Sequence, residues 1–515
     1  MALLRSVATV GGLTLTSRLF GFVRDVLTAA FLGADPAADA FFIAQRLPNL
    51  FRSLFAEGAF STAFVPLFAG TIAGEGKTAA RSFAEDALAV LLAALLFFLV
   101  LGEAGMPWFI KVIAPGFAGE PDKYALTVAL TRVTFPYLIF ISLVSLQGGV
   151  LNSVERFAAS AATPILFNLT LIAALAASRW WPEWTAHGQA WGIVVGGAAQ
   201  FLWLSLSCAR AGMALRLPRP RLTAEVRRLM RLMLPGVFGA GITQINLVIS
   251  TALASLLPSG SVSYLYYADR LNQLPLGVVG IAVGTAILPQ LSRQMRAGDH
   301  AAANSTQNRG IELALLLTLP AALALGLAAR PILAIFERGH FGSADVAATA
   351  PALAAYALGL PAFVLVRVLV PAFYARQDTA TPVKVGVAAV LVNLGLTLLL
   401  MGPLAHVGVA LATAIAGWVN ALTIGALLLR RGHFAFDRRS RRSLPRIVLA
   451  ALGMGAVLLA AERLLRPVFA EGEAVRLAAL ALLIAGGLVT YGAFALLVGA
   501  ADWREVRRRF GRQAA

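Results

Sequence analysis

The sequence predicts an all-α, polytopic membrane protein with about fourteen transmembrane helices. Three observations predict it. Of the 515 residues, 59% are hydrophobic and only 13% are charged, with a mean hydropathy of +0.79. Soluble domains carry roughly 25% charged residues. Lys and Arg gather in alternate loops between the apolar runs: Arg5; Lys77 and Arg81; Arg156; Arg210 to Arg231; Arg293, Arg296 and Arg309; Arg376 and Lys384; Arg430 to Arg446; and Arg504 to Arg512. Such a bias marks the cytoplasmic side of a membrane. It places both termini there, with 212–226 and 431–443 cytoplasmic and 466–474 periplasmic. Finally, the chain repeats itself at a spacing of about 220 residues, as transporter folds built from parallel repeats do. The net charge of +18 follows from the loop arginines, so nucleic acid is not an expected partner.

Each crossing needs about 20 apolar residues. The first two spans, near 8–34 and 36–72, are apolar yet interrupted by charge. Four more follow near 82–105, 124–151, 157–179 and 187–212. The next six lie near 228–257, 261–295, 307–328, 346–375, 382–402 and 405–430, and a last pair near 444–465 and 475–499. Ala44-Gln45-Arg46-Leu47 matches Ala268-Asp269-Arg270-Leu271, and Thr62-Ala63-Phe64-Val65-Pro66 matches Thr285-Ala286-Ile287-Leu288-Pro289. Ala162-Thr163-Pro164 matches Ala380-Thr381-Pro382, and Gly188 with Ala190 matches Gly408 with Ala410. Each repeat holds an even number of spans, so the copies share one orientation, related by a pseudo-two-fold along the membrane normal. The expected domains are a six-helix lobe at 1–220, a second at 221–435, an appended helix pair at 436–500 and a basic cytoplasmic tail at 501–515. The second and eighth spans occupy matching places and carry Pro48, Gly58 and Pro66, and Pro275, Gly277 and Pro289. Interrupted helices at matching positions point to a transport site.

Charges inside the first spans carry the functional signal. Arg18, Arg24, Asp25, Asp39, Arg46, Arg52 and Glu57 all lie within 7–72. A mid-membrane Arg costs about 2.5–3.5 kcal/mol on insertion scales, so such residues face water, each other or an anion. Residues seven apart share a helix face, which aligns Ser17 with Arg24, Arg18 with Asp25, Asp39 with Arg46, and Ser263 with Arg270. Asn49 and Arg52 extend the second stripe. Guanidinium forks suit phosphate because they donate paired hydrogen bonds and stay charged. Arg24, Arg52 and Arg270 are therefore candidate pyrophosphate ligands, with Arg18, Ser17, Asn49 and Ser263 beside them. Asp25, Asp39, Arg46 and Glu57 are candidate gate or ion-pair residues, and the competing reading makes them structural pairs that lock helices together. Arg132 and Arg367 are also intramembrane. Cys208 stands alone, which excludes a disulfide framework or thiolate metal site. No nucleotide loop, zinc motif or Ser/His/Asp constellation occurs, so neither a cofactor nor a metal is expected.

The opening Thr16-Ser17-Arg18-Leu19-Phe20-Gly21-Phe22-Val23-Arg24-Asp25 resembles the MurJ (MviN) family of lipid II flippases. So do Asp39-Ala40-Phe41, Arg46-Leu47-Pro48-Asn49-Leu50-Phe51-Arg52, Glu57-Gly58-Ala59-Phe60 and Tyr267-Ala268-Asp269-Arg270-Leu271. The resemblance runs over essentially the whole chain. It implies the fold of the multidrug/oligosaccharidyl-lipid/polysaccharide exporter superfamily, two six-helix lobes in a V. It also implies translocation of undecaprenyl-pyrophosphate-linked disaccharide-pentapeptide across the bacterial inner membrane for peptidoglycan synthesis. By the same resemblance, Arg18, Arg24, Arg52, Arg270 and Asp39 are functional, and the appended pair forms a lipid-tail groove. Some members of the family hold sodium with acidic residues in the second lobe. This chain has no acid in its seventh or eleventh span, and Asn393 and Thr413 are only partial matches, so sodium coupling is not expected.

The expected partner is lipid II within the membrane, the expected state a monomer, and cell-wall synthesis proteins are candidate associates. A drug/cation antiporter, or a flippase for another polyprenyl-linked oligosaccharide, is the alternative. A cationic drug requires an acidic or aromatic cavity, and the charges here are mostly positive. An enzyme acting on polyprenyl phosphates would cluster acid, base and metal ligands at a membrane face, and the sequence holds no such cluster. A scaffold for cell-wall enzymes would leave buried arginines unexplained.

Overall fold

Inside a bilayer every backbone N–H and C=O must pair within protein, which favours helices for apolar runs of this length. The computed structural model describes residues 2–52 and 60–500. Glu57 and the tail 501–515 lie outside the described residues. The helices are α1 (Ala2–Leu32), α2 (Pro36–Phe51), α3 (Ser61–Ile113), α4 (Pro121–Thr134), α5 (Tyr137–Ser153), α6 (Phe157–Ala177) and α7 (Thr185–Arg210). They continue as α8 (Ala224–Ser255), α9 (Ser261–Arg296), α10 (His300–Leu327), α11 (Ala329–Leu333), α12 (Ser343–Tyr374), α13 (Ala380–Arg430), α14 (Arg438–Leu465) and α15 (Glu473–Leu497). Among the described residues, nine helical stretches are long and apolar enough to cross a membrane. Two of these are folded at a kink, α3 at Gly76 (φ 88°, ψ 176°) and α13 at Ala405 (φ 47°, ψ −131°). Both kinks fall where the sequence places loops. The eighth span differs from expectation: α9 takes Pro275 and Pro289 into one continuous helix.

The chain forms two compact units, Met1–Ser263 with Arg338–Phe341, and Tyr264–Glu337 with Gly342–Ala515. In the first, α1 packs on α6, α2 on α4, α3 on α5 and α8, and α7 on α5 and α6. Its core includes Phe60, Phe64 and Phe68, one helical turn apart and stacked at centroid distances of 5.1 and 5.4 Å, with Phe83 at 5.6 Å from Phe64. α4 and α5 meet at Phe135 and Pro136, both with helical backbone angles, and the Thr134 hydroxyl donates to the Ala44 carbonyl of α2 at 2.9 Å. A short segment, residues 338–341, joins this unit from far along the chain. Its His340 N–H donates to the Ala30 carbonyl at 2.9 Å. Gly339 (φ +55°) lies so close that an added Cβ would sit 2.2 Å from that same oxygen.

In the second unit α12 packs between α10 and α13, while α14 packs on α10 and α15. Val364, Val368, Phe373, Ile424 and Leu428 form its buried core. Both units carry exposed large apolar side chains, Phe97 and Trp108 in the first and Leu399, Leu488 and Val489 in the second. Such surfaces suit contact with lipid tails.

Candidate functional site

Arg24 lies buried on α1 because α1 packs against α6 along a face opened by Gly21, where an added Cβ would touch Asn168 at 3.4 Å. Its guanidinium donates to Asp25 Oδ1 through Nε at 3.1 Å and Nη2 at 2.6 Å, and to Asn168 Oδ1 through Nη1 at 2.9 Å. Asn168 in turn donates to the Ser17 carbonyl at 3.1 Å. Sequence neighbours thus form a buried ion pair, and a polar residue from another helix sets its orientation. Asn168 was invisible to sequence periodicity, because its partner lies 144 positions away in an otherwise apolar helix. One to two turns earlier, Arg18 is half-buried and, among the described residues, makes no hydrogen bond or ion pair.

On α2 the Arg52 Nε donates to Asn49 Oδ1 at 3.3 Å, and Asn49 donates to the Gln45 carbonyl at 3.0 Å. Arg46 donates to the Thr251 hydroxyl of α8. Asp39 and Arg46 share a face but stand two turns apart, roughly 10 Å along the axis. That is too far for a direct pair, and Asp39 finds another partner.

Asp39 is 1% exposed and every lone-pair direction of its carboxylate is used. Oδ1 accepts from the Ser263 N–H at 2.9 Å and the Ser263 hydroxyl at 2.6 Å. Oδ2 accepts from the Gly260 N–H at 2.8 Å and from Lys123 Nζ at 3.0 Å. The first turn of a helix has N–H groups without intrahelical acceptors, and its positive end favours an anion. Asp39 therefore caps the start of α9 from a different helix. Lys123, 5% exposed, also donates to the Ser259 hydroxyl at 2.6 Å, lies 3.8 Å from Glu120 and rests 4.1 Å above the Phe117 ring. A buried ammonium needs such pairing. Sequence reasoning missed Lys123, which reads as the polar start of a span after Pro121.

In the second unit Arg270 is half-buried on α9. It donates from Nη2 to the Tyr266 hydroxyl at 2.9 Å and lies 4.8 Å over the same ring. The neighbouring Asp269 carboxylate accepts from Gln273, one turn on. Asn393 and Thr413, the partial matches for a sodium site, touch at 3.5 Å across the two halves of α13.

Comparison with known proteins adds to this geometry. A sequence profile described as "Lipid II flippase MurJ" matches residues 28–479. A probable lipid II flippase MurJ of Rhizobium meliloti (strain 1021) is 45% identical, covering 100% of this chain and 97% of that protein. The lipid II flippase MurJ of Burkholderia cenocepacia is 35% identical over 89% of this chain and 90% of its own. Among solved structures, a lipid II flippase MurJ in an inward closed conformation superposes with a TM-score of 0.79 at 26% identity, covering 95% and 98% of the two chains. An inward-facing multidrug resistance MATE family transporter superposes with a TM-score of 0.71 at 12% identity, over 80% and 94%, a likeness of fold alone.

Proposed function

Since the chain belongs to the MurJ family of lipid II flippases, we propose that it carries undecaprenyl-pyrophosphate-linked disaccharide-pentapeptide from the cytoplasmic to the periplasmic leaflet by alternating access. The match along the entire chain carries this reading. It is a multi-pass protein of the inner membrane, with both termini on the cytoplasmic side in our assignment. We assign six-helix lobes to 1–220 and 221–435, a lipid-tail groove to 436–500 and membrane-surface contact to the tail. No bond is made or broken, and the working unit is a monomer that meets cell-wall synthesis proteins in the membrane.

Arg18, Arg24, Arg52 and Arg270 are the pyrophosphate ligands in this reading, with Ser17 and Asn49 beside them. The Arg24–Asp25 pair suits the task. An incoming pyrophosphate takes the place of Asp25, so the guanidinium exchanges one anion for another and stays paired throughout. Arg18 needs no such exchange. Asp39 and Ser263 form the latch on the periplasmic side, where one carboxylate holds the start of α9, and Arg46 supports it through Thr251.

The test combines complementation with lipid II accessibility at the outer face of cells depleted of the native protein. Arg24→Ala, Arg52→Ala and Arg270→Ala should each abolish flipping while the protein still inserts. Loss of one charge-assisted contact costs on the order of 1.5–3 kcal/mol. Lys at these positions should restore activity only in part, because the planar fork is lost. Full complementation by all three alanine variants would refute the pyrophosphate assignment.

A further inference from the structure

The second unit holds a cavity lined by one arginine and two histidines, apart from the residues assigned above to transport. It lies at the end where α9 and α12 finish and α10 and α14 begin, and its volume is about 650 Å³. That falls within the range of small-ligand sites, roughly 300–1,000 Å³. Its polar lining is His300, Asn304, Arg376 and His433, with Met295 and Phe434 as apolar wall. No acidic side chain lines it.

Its floor is held in place. Asn304 pairs with the Ala435 backbone in both directions, at 2.9 and 2.8 Å, and Asn308 donates to the same carbonyl at 2.9 Å. Arg376 donates to the Ala372 carbonyl at 2.8 Å and to the His433 carbonyl at 3.0 Å. The acids nearby are already engaged. Asp299 caps α10 through the Ala302 N–H at 2.9 Å, and Asp378 takes Thr381 and Arg431. Asp437 takes Arg309 and the Ser440 N–H. His433 Nδ1 is buried without a hydrogen-bond partner. Burial, then the charges of Arg376 and Arg431, hold its imidazole below the usual range, with Asp378 opposing. A preformed cavity walled by one fixed guanidinium and two imidazoles, with no acid among its lining residues, suits an anion.

We propose that this cavity is a binding site for a phosphate group, distinct from the pyrophosphate-binding arginines and independent of the transport reading. His300 and His433 donate to the phosphate oxygens while Arg376 supplies the fixed charge. The source is either a lipid headgroup at the membrane surface or a soluble phosphate.

Full-length protein labelled with ¹³C-histidine, in nanodiscs of phosphatidylcholine, is titrated with inorganic phosphate. A parallel sample in nanodiscs containing phosphatidylglycerol receives none. His300→Gln and His433→Gln assign the two resonances. Saturable shifts of both resonances, with His187, His340 and His406 unmoved, support the site. A response in the first arm alone identifies a soluble ligand, and a response in the second a lipid headgroup. His300→Glu, which places a negative charge in the wall, should weaken binding by about tenfold or more while melting and flipping stay as in the parent. The proposal falls if neither probe moves the two histidines, or if His300→Glu binds like the parent.

Discussion

A lysine with almost no exposed surface is tolerated beside a carboxylate, and Lys123 owes its place to Asp39. Removing one partner of a buried pair costs about 3–5 kcal/mol, because the other charge stays behind. Lys123→Met should therefore lower the melting temperature of the purified protein, and adding Asp39→Asn should recover much of the loss. A Lys123→Met protein that melts with the parent would contradict the pairing. Asp378 offers a test by pH. Hydrogen bonds from the Thr381 side chain and backbone, opposed by some desolvation and aided by Arg431, bring its carboxyl down to about 2. An unfolded Asp titrates near 3.9, at about the usual reference value. The depressed value means its contribution is whole above that point and is lost as pH falls through about 2. The melting difference between parent and Asp378→Asn should stay level from pH 5 to 8 and shrink below pH 4, as followed by thermal denaturation across that series. At this scale the sequence was partly legible. Intramembrane charge singled out Arg24, Asp25 and Asp39, but periodicity speaks only for one helix at a time. Asn168 and Lys123 became visible once separate helices met.

The kinks in α3 and α13 invite opposite substitutions. Gly76 has φ 88° and ψ 176°, backbone that only glycine adopts readily, and an added Cβ would meet nothing within 4 Å. Gly76→Ala should thus cost about 1–3 kcal/mol through backbone strain with no clash. Ala405 bends the chain at φ 47° and ψ −131° while carrying a Cβ. Ala405→Gly should stabilise the protein by about 1 kcal/mol. Thermal melting of the two variants checks both signs, and equal shifts would mean the kinks are not set by local backbone preference. The two bends were legible as loops, Gly76 from its charged neighbours Glu75 and Lys77, the other from the punctuation at Pro403. Continuity of α9 was not legible. Proline removes one N–H and crowds the preceding turn, yet helices in membranes retain proline when neighbouring groups satisfy the freed carbonyls.

Across the whole molecule the excess of positive charge bears on energy supply. Moving one charge through the membrane potential is worth about 2.3 kcal/mol per 100 mV. A negative cytoplasm drives an anionic cargo outward and draws empty cationic side chains back. Flipping in vesicles should therefore stop when the potential is collapsed with the sodium gradient kept, and continue in the reverse condition. Activity that tracks sodium instead would overturn this. The all-helical membrane class was legible from composition and loop charge, since both follow from the bilayer as solvent. The division of contacts was not, because residues 338–341 fold with the first unit although the sequence places them deep in the second repeat. That placement sets an order of manufacture. The ribosome must deliver Tyr264–Glu337 before the first unit receives its final four residues. At roughly 5–20 residues per second the wait lasts several seconds. During it the Ala30 carbonyl has yet to meet the His340 N–H that it accepts in the finished fold. A nascent chain stalled or cut before residue 338 would leave the first unit incomplete in the membrane, open to the proteases that clear unfinished proteins.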